Sequence, residues 1–169
     1  MTPPLDTTLC PIDRSAELIG DRCAILVLRE LALCPARFGE LQAQTGVNAQ
    51  LLSDRLKRLQ TGGLIDRRAD THHRSGSYGL TPKGAAFIPV LLALRAWGEA
   101  WVKDPSEGLA VETRHTDCGG EVDLEGRCGR CQADVDWRAR TSLPTAAYAQ
   151  ERAARATLPA GRPRPTPTR

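Results

Sequence analysis

The chain has 169 residues, of which 41% are apolar, 25% charged and only 4% aromatic. Such values suit a globular protein of one domain plus an appendage, or two small domains, with a core of Leu, Ala, Val and Ile. No uncharged apolar run reaches the roughly 18 residues of a membrane span, and Met1 to Asp6 lacks the charged start and apolar stretch of a secretory signal, so a cytoplasmic protein with no membrane partner is expected.

The formal net charge is +3, unevenly spread. Residues 37–83 hold eight Lys/Arg against four acids, whereas residues 106–140 hold five Arg against eight acids. A basic block beside an acidic one points to a polyanion partner for one part only. Three of the six cysteines fall between 118 and 131, and in a reducing cytosol that clustering suggests metal or redox use rather than structural disulfides.

In chain order, residues 1–9 read as a loose arm. Asp13 to Gly20 reads as a short helix. Asp21 is placed to cap a helix over Arg22 to Cys34 whose all-round apolarity marks it as buried, which makes Cys23 and Cys34 expected inert core residues. Pro35 stops it. Phe38 to Gln44 forms a third helix. A tight turn, Thr45-Gly46-Val47-Asn48, follows, and Asn48 caps a fourth helix over Ala49 to Thr61 that Gly62-Gly63 ends through a left-handed residue. Leu64 to Ala69 and Ser77 to Leu80 are expected strands flanking a polar, basic hairpin tip. Thr81 and Pro82 begin a long helix reaching about Val102, interrupted by Pro89 and Gly98; one of its apolar sides can pack on the domain and another requires a partner.

These elements predict a mainly α fold with a small β wing, that is, a winged helix–turn–helix followed by a small zinc-ribbon-like module. The expected boundaries are 1–105 for a DNA-binding and dimerisation domain, 106–114 for a linker, 115–140 for a Cys/His module and 141–169 for a C-terminal helix and a disordered Pro/Arg-rich tail. At 100° per residue, Leu52, Leu56 and Leu59 share one narrow sector of the fourth helix. Gln50, Ser53, Asp54 and Lys57 lie opposite, with Arg58 near the edge. Any amphipathic helix has a polar outer face; the preceding turn, the basic hairpin and the local charge excess single this one out as a groove-reading helix. Gln50 suits adenine, Ser53 a base or phosphate, and Asp54 either cytosine or a neighbouring Arg. Lys57 and Arg58 suit phosphates. Arg67, Arg68 and Arg74 of the hairpin suit the adjacent backbone or minor groove.

Cys10-Pro-Ile-Asp13, Leu18-Ile-Gly-Asp-Arg22, Ile25-Leu-Val-Leu-Arg-Glu-Leu31, Arg37-Phe-Gly-Glu-Leu41, Leu52-Ser-Asp-Arg-Leu-Lys-Arg-Leu59, Gly63-Leu-Ile65 and Tyr78-Gly-Leu-Thr-Pro-Lys-Gly84 together resemble the HxlR-type branch of the MarR-like bacterial transcription regulators. The resemblance covers roughly residues 9–102. It implies a winged-helix homodimer, joined through terminal helices, on a near-palindromic duplex DNA operator, with repression the commoner outcome. Two positions depart from the pattern: Cys23 stands where the family usually has Trp, and His72-His73-Arg74-Ser75 replaces a Pro-containing wing turn. Cys10 resembles the N-terminal cysteine with which some of these regulators sense oxidants or electrophiles. A helix N-terminus favours the reactive thiolate, so the position is chemically sensible; the alternative is a small packed thiol.

His115-x2-Cys118-x9-Cys128-x2-Cys131 offers three thiolates and one imidazole, the closed tetrahedral set of a structural zinc ion. A segment this short lacks apolar surface, so the ion would supply much of its folding free energy. Val122, Leu124, Val135 and Trp137 are expected in small strands around it. A Cys128–Cys131 redox disulfide is the rival reading. Its acidity argues for a structural or protein-interaction role rather than DNA contact. No paired acids, Ser/His/Asp set or Gly-rich phosphate loop supports an enzyme; the alternative of another class is a thiol-redox or protein-interaction protein acting through the Cys/His module.

Overall fold

The computed structural model describes residues 8–70 and 73–157, without the side chains of 69, 70 and 73–75. Its contacts divide the described residues into two compact units, the second being Phe87–Ala154 and the first the remainder.

In the first unit, helix α1 (Pro11–Ile19) starts with Pro11 in its first turn, where the missing N–H costs nothing. Helix α2 (Arg22–Leu33) is capped by Asp21, whose carboxylate accepts from the Ala24 amide at 3.0 Å. It buries Cys23, Ala24, Val27, Leu28, Glu30 and Leu31. Burial pushes the Cys23 thiol up, which keeps it protonated and inert, as expected. Cys34 departs from expectation. It is exposed, because α2 ends at Leu33 and Cys34 is already in extended backbone.

Helix α3 (Phe38–Thr45) opens with the Arg37 amide donating to Glu40 Oε2 at 2.7 Å. Helix α4 (Ala49–Thr61) begins where Asn48 Oδ1 accepts from the Leu51 amide at 2.8 Å. The three leucines expected on its core side are 0%, 2% and 1% exposed for Leu52, Leu56 and Leu59. The helix ends through a left-handed glycine, as expected: Gly62 stays right-handed at φ −72° and Gly63 takes the left-handed turn at φ 71°.

Strands β1 (Ile65–Asp70) and β2 (His73–Leu80) form an antiparallel hairpin, β1 shifted by one residue from the expected strand and β2 starting four residues earlier than expected, with Ile65 opposite Leu80 and Arg68 opposite Ser77. Ala36 adds a bridge to the hairpin, exchanging both backbone hydrogen bonds with Tyr78. Thr81 caps α5 (Pro82–Ala85), accepting from the Gly84 amide while its hydroxyl donates to the Gly63 carbonyl at 2.6 Å. Gly84 lies so close to the β1 entrance that a Cβ there would stand 2.0 Å from the Leu64 carbonyl oxygen. The Thr-Pro-Lys-Gly run thus closes the hairpin onto the end of α4.

The expected long helix is two. Pro89 cannot donate an N–H and clashes with the carbonyl four residues earlier, so the chain restarts as α6 (Ile88–Trp101) with Pro89 in the first turn; Gly98 does not interrupt it. In the second unit, Val111–His115 is strand β3, part of which was expected as linker; it pairs antiparallel with β4 (Arg140–Pro144) over all five residues and bridges through Arg114 to Glu121, at the start of the expected strand segments around Val122 and Val135. Those segments contribute bridges, Val122 with Cys128 and Arg127 with Asp134, around a small core of Val122, Cys128 and Val135. Helix α7 (Ala146–Thr157) follows, and the Pro/Arg-rich tail lies outside the described residues. No helix among the described residues is long and apolar enough to cross a membrane.

Since Leu56 fills its site with no exposed surface to spare, Leu56→Ala is expected to cost about 2–5 kcal/mol in a urea melt followed by circular dichroism, and a loss below about 1 kcal/mol would contradict this packing.

Candidate nucleic-acid interface and candidate metal centre

The α3–turn–α4 unit holds its second helix by one side only. Leu52, Leu56 and Leu59 point inward, and α4 packs against α1, α2 and β1. The opposite side is exposed at Gln50, Asp54 and Lys57 and half-buried at Ser53. Gln50 Nε2 donates to both Asp54 carboxylate oxygens at 3.2 Å, one turn along the helix. This bond pre-orders the two groups, and it places Asp54 against a side-chain amide rather than an arginine. Lys57 has no hydrogen-bond or ion-pair partner among the described residues, which leaves its ammonium free for an anion.

The arginines divide by reach. Arg58 Nη2 lies 3.5 Å from Glu17 Oε2 of α1, an exposed pair whose net strength is small, so phosphate can compete for it. Arg68 is folded onto its own hairpin, donating to the Leu80 carbonyl at 2.8 Å and to Asp66 at 3.3 Å. Arg67 lies over the Tyr78 ring at 6.0 Å. Arg74 is in β2, but its side chain is outside the described residues, as is His72. Arg55 was not anticipated. It is half-buried, and its Nε lies 2.8 Å from Asp21 Oδ2. Asp21 therefore caps α2 and anchors α4 with one carboxylate; helix-wheel position alone, between the core and outer sectors, was the only hint of it. Cys10 is exposed at the N-cap of α1, with no side-chain hydrogen bond in the capping role.

In the second unit, His115, Cys118, Cys128 and Cys131 converge, each offering one ligand atom, all within 4.8 Å of one another. Cys118 and Cys128 Sγ are 3.5 Å apart, and His115 Nδ1 lies 3.3 Å from Cys118 Sγ and 3.4 Å from Cys131 Sγ. A tetrahedral zinc with ordinary bond lengths requires S···S and S···N edges of about 3.8 and about 3.6 Å, so these three edges lie within a few tenths of an ångström of such an ion's, and the whole set within 4.8 Å closes on it with small side-chain shifts. The His115 ring is held by its other nitrogen, Nε2 lying 3.4 Å from Asp117 Oδ2, which turns Nδ1 toward the three sulfurs. The Cys131 amide, with that of Arg130, draws the Cys128 thiol down to about 6 against the desolvation that opposes it. Cys128 is thus a thiolate, the ligating form, near neutral pH. Gly120 is needed here: a Cβ on it would stand 2.6 Å from Cys128 Sγ. The four residues can hold a metal ion.

A family model described as HxlR-like helix-turn-helix matches residues 18–106. The chain belongs to the HxlR-like helix-turn-helix family. This is a family of transcription regulators, and the winged helix is its DNA-binding fold. Among its relatives is an uncharacterized HTH-type transcriptional regulator of Mycobacterium tuberculosis, 32% identical over 134 residues that cover 79% of this chain and 84% of the relative. Another of the same description, from Synechocystis sp., is 35% identical over 102 residues, covering 58% of this chain and 74% of its own length. The crystal structure of PA1607, a candidate transcription factor, superimposes with a TM-score of 0.62 at 29% identity, covering 79% of this chain and 94% of that one.

Removing the carboxylate that orients His115, by Asp117→Ala, is expected to weaken zinc binding by about 10- to 100-fold in a chelator competition, while an unchanged affinity would show that Asp117 does not set the ring.

Proposed function

We propose that the protein regulates transcription in the cytoplasm as a homodimer on a near-palindromic duplex DNA site, with α4 in the major groove and the β1–β2 hairpin against the adjacent backbone. The observation that carries this reading is the outward row of exposed Gln50, Asp54 and Lys57 with half-buried Ser53, on a helix whose other side is anchored by three buried leucines. Gln50 and Ser53 read base edges. Asp54 holds Gln50 in place. Lys57 meets phosphate, as does Arg58 once it leaves Glu17, and Arg67, Arg68 and Arg74 serve the flanking backbone or minor groove. Bound over a promoter, such a dimer blocks polymerase, so repression is the reading taken here.

A second copy is supported by α6. Val90, Leu94, Trp97 and Trp101 follow one another at steps of four, three and four residues and are 51%, 46%, 57% and 78% exposed. Four large apolar groups in one stripe on a helix with no buried residue form the seam of a helix pair. A homodimer of this kind places one recognition helix on each of two half-sites one helical turn apart.

The Cys/His centre is read as a zinc site bracing the second unit, supported by the donor set and its edge lengths. Cys10 is read as an electrophile-sensitive thiol, supported by its exposure at the start of α1.

Footprinting on the DNA flanking its own gene, followed by titration across salt concentrations, tests the main reading. The affinity is expected to fall steeply with salt, and Lys57→Ala to reduce the log–log slope by about 1. Binding that ignores salt, or a Lys57→Ala variant indistinguishable from the native protein, would overturn it. Diamide or an aldehyde is expected to change operator binding in the native protein and not in Cys10→Ser; an equal response in both assigns the sensitivity elsewhere.

A further inference from the structure

In the second unit, the helix that carries the apolar stripe is tied on its other side to the strand that ends in a candidate metal ligand. Measured around α6, Val90, Leu94, Trp97 and Trp101 lie within a sector of about 60°, while Arg95 and Glu99 point away from it. That far side is tied to β3. The Arg95 guanidinium donates to the Thr113 hydroxyl at 2.9 Å and to the Val111 carbonyl. Glu99 Oε1 accepts from the Ala110 amide at 3.4 Å, just before the strand begins, and its other oxygen accepts from Lys103 Nζ at 3.0 Å. Burial presses the Arg95 guanidinium toward its neutral form, so these acceptors matter to it.

The strand holding those acceptors ends in a metal ligand. His115 closes β3, two residues beyond Thr113. Thr113 is buried at 4% exposure, its hydroxyl lies 3.2 Å from Ser142 Oγ of β4, and its carbonyl accepts from the Val122 amide at 2.8 Å. The His115 amide donates to the Gly120 carbonyl at 2.8 Å. Beneath the strand the core consists of Val122, Cys128 and Val135, with Cys118 and Ala139 packed on it, so two of its five members are metal ligands. A core of this size does not fold on its own, and the ion's binding free energy is its folding free energy.

We propose that the His115/Cys118/Cys128/Cys131 centre is a regulatory metal site: loading it with zinc or a zinc-like divalent ion orders β3 beneath α6 and so promotes pairing of two copies through the Val90/Leu94/Trp97/Trp101 stripe. This rests on the metal and dimer readings given above. Without the ion, β3 keeps β4 but loses the ordered Gly120–Val122 edge on its other side, and the hold of Arg95 and Glu99 on the strand weakens. The half-buried Leu91 and Leu92 flank then competes with the stripe for contact. Coupling of this kind is reciprocal, so self-association raises metal affinity by the same factor that metal raises self-association.

The test is sedimentation equilibrium of the full-length chain with zinc at one equivalent, after chelator stripping and after zinc is restored, with bound metal measured in each sample. Stripping is expected to weaken self-association by about tenfold or more, and restored zinc to recover it. Arg95→Ala is expected to retain one zinc but to lose the dependence of self-association on it. Circular dichroism of the stripped sample reports whether the helices of the chain stay folded as a whole. Equal self-association with and without zinc, in a chain that binds one equivalent, overturns the coupling while leaving the metal and dimer readings intact. A chain that takes up no zinc overturns the metal reading, and one that stays monomeric throughout overturns the dimer reading; either removes the coupling with it.

Discussion

The seating of α4 by Leu52, Leu56 and Leu59 is the constraint on which the DNA-binding unit depends. Each of these side chains stabilises the fold by about 1.5–3 kcal/mol through removal of its surface from water. Together they set the rotation of the helix about its own axis. A turn of 100° would bury Gln50 and Lys57 and expose leucine instead. The outward row is therefore a consequence of packing, and its chemistry is available because the fold leaves it unused. Asp21–Arg55 adds a polar restraint near the first half of the same helix, so that α4 is held by apolar burial along its length and by an ion pair at one flank.

The second unit solves a different problem. It has few apolar residues and compensates with convergent ligands. The three sulfurs and one imidazole nitrogen lie within 4.8 Å of one another at the edge of a core of three buried residues, and the strand that supplies the imidazole also supplies the acceptors for Arg95 of α6. Charge follows the same division. The acidic excess falls in the segment with the Cys/His cluster that could hold a cation, and the basic excess in the winged-helix unit proposed to meet a polyanion.

Much of this was legible in the residues. The bounds of α4, the Asn48 and Asp21 caps, the Thr81–Pro82 start and the grouping of His115, Cys118, Cys128 and Cys131 all depend on interactions between residues close in sequence, and such local rules are visible without a fold. What escaped was long-range. Glu17 reaches Arg58 across 41 positions, Asp21 reaches Arg55, and β3 pairs with β4 across the whole Cys/His segment. No periodicity announces a partner that distant. The split between α5 and α6 escaped for a subtler reason. Pro89 can either kink a continuous helix or begin a new one, and the choice depends on where the chain before it is held, here by Gly84 against Leu64. Cys34 was misplaced by a single residue of helix length, which at a helix end is enough to move a side chain from core to solvent.

The central claim is that the outward face of α4 reads a major groove. Methylation interference addresses it most directly, because dimethyl sulfate marks guanine N7 in the major groove and adenine N3 in the minor groove. The account predicts interference at major-groove positions in two half-sites about 10 base pairs apart, weakened when Gln50 and Ser53 are both replaced by Ala. Interference confined to minor-groove positions, or a pattern unchanged by those replacements, would contradict it.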